Sequence, residues 1–307
     1  MNEKEIFEMT KHIDDQYILE ASPSPRKNIK LKKRIITFGI AAAITASLSV
    51  GAFAAYKAFN KESVATYYDS SAVEKIEQKG YVSEEVANNK HFDLNLDSVM
   101  KDNNCIMAVV SVKGLDETAE NYIAQSTQMC CNLVYSDNNE KVNGFAAMFG
   151  WQPYEKGKAY PMRLCVPVNT VMGVVDLSRP IRLDFIRDEN NTVAVDKDFF
   201  KDLSLELKDI KQAKSDKFYS ADGKMLDVSE FTIVTNGDWD ENAELTADKT
   251  IIHYKDGTSE ALDQKVNAIT NNLTPDNKSV TIIDLKTLID PENIDYMEYL
   301  GVQYKRK

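Results

Sequence analysis

Histidine is scarce in this chain: three in 307 residues, His12, His91 and His253. Scattered so widely, they form neither a catalytic cluster nor a histidine metal site. Cysteine is almost as rare, with four: Cys105, Cys130, Cys131 and Cys165. No C-x-x-C spacing occurs, which excludes zinc and thioredoxin-like readings. There is also no G-x-S-x-G, no P-loop, no G-x-G-x-x-G and no H-E-x-x-H. An enzyme and a resident cofactor are therefore not expected. One metal pattern comes close. Asp238, Asp240 and Asn242 alternate like the start of a calcium loop. The glycine due at position six is Ala243 and the glutamate due at position twelve is Lys249. An acidic surface loop is the expectation, with no metal.

The cysteines sit in apolar, strand-like runs, CIMAVV, MCCNLVY and RLCVPV. Buried free thiols fit that setting, since unpaired cysteine behaves as a small hydrophobe. One disulfide remains open if the compartment is oxidising. Neighbouring Cys130 and Cys131 would point to opposite faces of a strand.

Charge is unevenly spread. Residues 1–34 hold eight Lys/Arg and six Asp/Glu, whereas residues 35–307 hold 29 and 42. The larger portion is acidic, which excludes the basic surface that nucleic acid requires. The two portions meet at IITFGIAAAITASLSVGAFAAY, residues 35–56, which carries no charge. As a helix it would run about 33 Å, enough for a hydrocarbon core of about 30 Å. Arg26, Lys27, Lys30, Lys32, Lys33 and Arg34 precede it, and only Lys57 and Lys61 follow closely. The positive-inside rule then puts the N-terminus in the cytoplasm and the C-terminal region outside. A cleaved leader is the competing reading, because Ala52-Phe53-Ala54 fits small-x-small. The long, patterned N-terminal segment favours an anchor. Gly39, Ala43, Ser47 and Gly51 recur every four residues within the run. Such a ridge lets membrane helices approach closely and suggests a homodimer, although an alanine-rich run produces it by coincidence too.

The N-terminal tail has its own pattern. Ile6, Met9, Ile13 and Tyr17 are spaced three, four and four, on one helical face, with Leu19 flanking it. Pro23 and Pro25 close the segment. A lone helix this short is marginal in water, so its apolar stripe needs a partner. Its polar face is mostly acidic, from Glu3 to Glu20, which disfavours an anionic lipid surface. A groove on a cytoplasmic protein is the better expectation.

The sequence predicts a juxtamembrane helical spacer over 57–91, including a helix at 72–79 between Ser71 and Gly80. From 92 onward it predicts a mainly β ectodomain of two β-sandwich-like modules, 92–198 and 199–307. Strand-like runs lie at 105–112, 129–136, 142–149, 162–168, 181–187 and 192–195. Others lie at 203–210, 224–235, 249–257, 278–285 and 297–305. A short helix is expected near 287–289. Phe149, Trp151, Tyr154 and Tyr160 flank a Pro/Gly loop. They form either a packed edge or a patch for an extracellular ligand.

Three pieces carry a family resemblance. HIDDQYILEA (12–21) looks like a short tail motif ahead of a basic stop. The order of tail, basic cluster, span and acidic ectodomain matches. LIDPENIDYMEYLGVQYK (288–305) looks like a closing strand. With these, the chain resembles Gram-positive single-pass membrane proteins classed as anti-sigma factors, whose β-rich ectodomain is uncharacterised. The resemblance implies a cell-membrane regulator whose tail holds a sigma factor. The tail lacks the histidine and cysteine set of zinc-type anti-sigma domains, so it would bind as a bare helix. The alternative is an anchored cell-surface binding module whose tail has no regulatory part.

Overall fold

The computed structural model describes residues 61–171, 173–236, 249–263 and 265–307. Residues Ile6, Met9, Ile13, Tyr17 and Leu19 of the tail lie outside that set. So do Gly39, Ala43, Ser47 and Gly51 of the expected span, and the acidic loop with Asp238, Asp240 and Asn242. Among the described residues no helix is long and apolar enough to cross a membrane.

The described chain is mainly β, in two curled antiparallel sheets. The first contains β1 (Val86–Asn88), β2 (Phe92–Lys101), β3 (Cys105–Gly114), β4 (Gln128–Tyr135), β5 (Glu140–Phe149) and β6 (Tyr160–Pro167). A small ribbon of β7 (Asn169–Thr170) and β8 (Gly173–Val174) follows. Then β9 (Ile181–Ile186) and β10 (Ser204–Leu207) complete that sheet. Its order is β1-β2-β3-β6-β5-β4-β9-β10, and β10 comes back against β1 and β2. The second sheet begins with β11 (Ser215–Tyr219), β12 (Met225–Ser229), β13 (Thr232–Asn236), β14 (Thr250–Tyr254) and β15 (Ser259–Ala261). It continues with β16 (Val266–Leu273), β17 (Ser279–Leu285), β18 (Ile294–Tyr299) and β19 (Val302–Lys305). Its order is β15-β14-β18-β19-β11-β12-β13-β17-β16. The change of sheet falls at 208–214, later than the 198/199 boundary read from the sequence. Phe199 and Leu203 belong to the first core.

Each sheet curls around its own core, and a third core lies between the two. Strand β3 shows how one sequence serves two of them. Ile106, Ala108, Val110 and Val112 face the first core, while Cys105, Met107 and Val109 face the middle one. The side-chain period of two splits the run cleanly. That explains why CIMAVVSV is apolar at almost every position. Opposite, β13 and β17 divide in the same way. Val234 and Ile282 face the middle core, and Ile233 and Ile283 face the second sheet's own core.

The helix α1 (Ser70–Lys79) fills the middle core with Ala72, Val73 and Ile76. Its N-cap is Asp69, whose carboxylate accepts from the Ala72 backbone N–H at 2.7 Å; Ser71 lies inside the helix. Gly80 ends it at φ 69°, a left-handed conformation that glycine adopts without steric cost. Val64, Tyr67, Tyr68 and Tyr81 are buried around it. The segment read as a spacer is thus an integral part of the fold from Val64 on.

Other elements differ from the sequence reading for identifiable reasons. A second helix, α2 (Glu117–Ser126), is capped by Asp116 and buries Ala119, Tyr122 and Ile123. The expected strand at 192–195 is a loop, because the Val193 N–H bonds the side chains of Gln125 and Asn191 instead of a neighbouring strand. The run 224–235 breaks into β12 and β13 at Glu230 and Phe231, where Phe231 turns into the middle core. The run 297–305 breaks at Leu300 and Gly301, both at positive φ. No helix forms at 287–289; a 3-10 turn stands at Pro291–Asn293.

Candidate functional site

The aromatic residues singled out from the sequence surround the loop from Gly150 to Lys158, between β5 and β6. The structure divides them into two pairs. Tyr160 is only 3% exposed, and Tyr154 packs on it edge-to-face at 5.7 Å. The Tyr160 hydroxyl donates to the Gln152 carbonyl at 2.6 Å. Gly150 lies flat against the Tyr160 ring, where a Cβ would collide with it. This pair holds the loop. Phe149 and Trp151, by contrast, are 45% and 51% exposed and face outward.

Two residues missed in the sequence complete the patch. The ring of Tyr67 meets Trp151 edge-on at 5.6 Å. Its hydroxyl is shared between the Phe149 carbonyl at 3.2 Å and the Pro161 carbonyl at 2.8 Å. The Arg163 guanidinium stands 5.5 Å from the centre of the Trp151 ring, within cation–π range. Tyr67 comes from a distant part of the chain and Arg163 from the next strand, β6, and neither contact follows from a local spacing pattern.

Beneath the patch lies a buried polar cluster. Arg163 on β6 pairs with Asp284 on β17, joining the two sheets, and both side chains are almost wholly buried. Burial, opposed by Arg163, pushes Asp284 up to about 7. Tyr68 is buried beside them, and loss of solvent pushes its hydroxyl well above the usual tyrosine range. Elsewhere between the sheets, Asp102 accepts from the Thr232 hydroxyl and from the Asn104 and Cys105 backbone N–H groups. Glu230 accepts from Lys79 at 2.7 Å and from Tyr81 at 2.8 Å, tying the end of α1 to the second sheet.

A further buried acid anchors the first described turn. A bulge in β2 falls at Asp97. The Ser111 hydroxyl donates to Asp97, and Ser63 lies 2.6 Å from Ser111. Burial pushes Asp97 up to about 8, against the pull of both serines. A carboxyl whose pKa rises on folding binds its proton more tightly in the folded state. The stability it confers is complete below pH 3.8 and is lost as pH rises to about 8. We therefore expect the urea midpoint to fall between about pH 5 and pH 8. Asp97→Asn should flatten that decline. A wild-type midpoint that rises over the same range would contradict the assignment.

These buried acids hold elements together and are closed to substrate. Among the described residues no group of three or more His, Cys, Asp or Glu is placed to hold a metal. His91 contacts Asp116 and packs at a tilt against Phe199, while His253 stacks on Tyr296 in the other sheet. All four cysteines are free thiols, with Cys105, Cys130 and Cys131 buried. An open groove of about 510 Å³ lies beside Tyr219, Asp222 and the C-terminal Lys305–Lys307. Its cations are already engaged: Arg306 with Asp216 at 2.7 Å, and Lys307 over the Tyr219 ring.

No protein-family model and no curated protein matches this chain. A solved structure described as the conserved domain protein from Bacillus anthracis covers 75% of this chain and 78% of its own. The TM-score is 0.41 and the identity 11%, too distant a likeness to carry function across.

Proposed function

We propose that this protein is a single-pass membrane regulator of the anti-sigma kind. Residues 35–56 anchor it, residues 1–34 hold a sigma factor in the cytoplasm, and a β-sandwich-like ectodomain senses a condition outside the cell. Loss of that hold, through proteolysis near the membrane, would free the partner. One observation carries the reading: a 22-residue uncharged run follows six basic residues and separates a small patterned tail from a large acidic portion. The tail is too short to bury its own stripe, and a partner groove supplies what it lacks.

The test is topological. Protease added to cells stripped of their wall should remove the region after Tyr56 and spare the tail. A large portion that stays intact while a control surface protein is digested would overturn the orientation.

A second reading has an observation of its own. Phe149 at the end of β5 and Trp151 in the loop after it are both exposed, and exposed aromatics are common interface anchors. In that reading the chain is an anchored surface binding module, and the tail is incidental. Deleting residues 2–21, which leaves the basic cluster in place, separates the two: regulation is lost in the first and ligand capture is unchanged in the second.

A further inference from the structure

We propose that Cys105 and Cys165 are a thiol pair that peroxide oxidises to a disulfide between β3 and β6, and that this bond acts on the joint between the two sheets. Every residue involved lies in the sheets, so the pair works in the same way whether or not the chain is anchored.

Strands β3 and β6 lie side by side, with Met107 opposite Cys165 and Cys105 opposite Pro167. Cys105 and Cys165 are thus diagonal neighbours on one face, and both pack on the middle core. Contact with the Cys165 thiol, then burial, pushes Cys105 well above the usual thiol range. No other two cysteines can close. Cys130 and Cys131 are on β4, two strands away from β6 in the sheet. That is about 10 Å, and a disulfide needs Cα atoms within about 7 Å. Cys130 and Cys131 also point to opposite faces of β4.

Access sets the order of the chemistry. Cys105 is fully buried, whereas Cys165 is half-buried and within reach of a small oxidant. Burial lowers the Arg163 pKa, but Asp284 foremost, then Tyr68, Cys165 and Cys105, raise it overall, which places the guanidinium near both sulfurs. A partly exposed thiol beside a cation is the setting in which cysteines react. The Cys165 sulfur attacks one peroxide oxygen. The O–O bond breaks, a sulfenic acid forms, and the departing hydroxide takes up the Cys165 proton as water. The Cys105 sulfur then attacks the Cys165 sulfur. The S–O bond breaks, the S–S bond forms, and hydroxide leaves with the Cys105 proton as a second water. The thiols together lose two electrons, and the peroxide gains them.

Closing the bond moves the strands. Diagonal neighbours stand about 7–8 Å apart, and a disulfide spans at most about 6.8 Å between Cα atoms. The two strands must therefore close by about 1 Å at this point. Each is tied to the second sheet nearby. The Cys105 N–H donates to Asp102 at 2.8 Å, and Asp102 also accepts from the Thr232 hydroxyl on β13. Arg163, two residues before Cys165, pairs with Asp284 on β17. A bond between the thiols pulls on both links.

The full chain, reduced and then freed of reductant in detergent, would be treated with a small molar excess of hydrogen peroxide. Thiol titration of the denatured product should fall from four to two. Peptide mapping without reductant should join the Cys105 and Cys165 peptides, and dithiothreitol should separate them again. Cys105→Ser should leave Cys165 as a sulfenic acid that dimedone traps. The mapping needs no variant, so a Cys105→Ser chain that fails to fold leaves the test intact. Four thiols after treatment, a link through Cys130 or Cys131, or a bond between two chains overturns the pair. Backbone amide exchange in β13 and β17 should change on oxidation. A change confined to β3 and β6 overturns the action on the joint.

Discussion

Arg163→Met should be among the most destabilising single changes in the described region, costing about 3–5 kcal/mol in chemical unfolding. Arg163 and Asp284 join the two sheets across the middle core, and both are almost wholly buried. Removing the guanidinium leaves a carboxyl in a dry site without its counter-charge. Asp284 already sits at about 7 through burial, and without Arg163 it should rise further. The loss should thus be larger at pH 9 than at pH 6, where protonation relieves it. Replacing both partners, Arg163→Met with Asp284→Leu, should recover most of the stability, since a matched apolar pair carries no uncompensated charge. Equal damage from the single and double variants would show that the residues act separately. Trp151 provides a local readout, because Arg163 stands over its ring.

Ile13→Asp should abolish binding of the tail to its partner, while Glu8→Ala should leave it nearly unchanged. Ile6, Met9, Ile13 and Tyr17 share one face of the expected helix. Each large apolar side chain is worth roughly 1.5–3 kcal/mol when buried. Four of them offset the ordering of a short helix with little to spare. Losing one should weaken binding at least about tenfold, the factor that 1.4 kcal/mol represents. Aspartate adds a charge inside the groove. Titration of the full chain in detergent against a purified sigma factor checks both variants. Equal effects would show that the helical face is wrong, and no effect from either would remove the tail from the account.

Part of the fold was legible in the sequence because its signals are local. Gly80 marked the end of α1, and turn residues such as those after Ser136 marked breaks between strands. The start of α1 falls two residues before the expected one because Asp69, and not Ser71, is the cap: its carboxylate accepts from the Ala72 N–H. Strand β16, VNAITNNL, escaped notice. It is half-buried along most of its length, so it shows no alternation of apolar and polar residues. The run at 192–195 carried the composition of a strand, but side-chain hydrogen bonds from Gln125 and Asn191 took its backbone.

The site divides along the same line. Aromatic composition drew attention to Phe149, Trp151, Tyr154 and Tyr160, yet which of them face outward is set by Gly150 lying against Tyr160. Tyr67 belongs to the patch through a contact between segments far apart in sequence, and Arg163 through the pairing of β5 with β6. The pairing of Arg163 with Asp284 is longer in range still, since it joins two sheets. Such contacts follow from the packing of whole elements and leave no mark on local spacing.

The central claim is that the tail keeps a sigma factor at the membrane. The most direct measurement is the distribution of that sigma factor between membrane and cytosol in cells carrying the full chain or a chain lacking residues 2–21, which keeps the basic cluster ahead of the span. The account predicts membrane-bound sigma factor with the full chain and its release to the cytosol when the tail is removed. A distribution that is the same with both chains would contradict it.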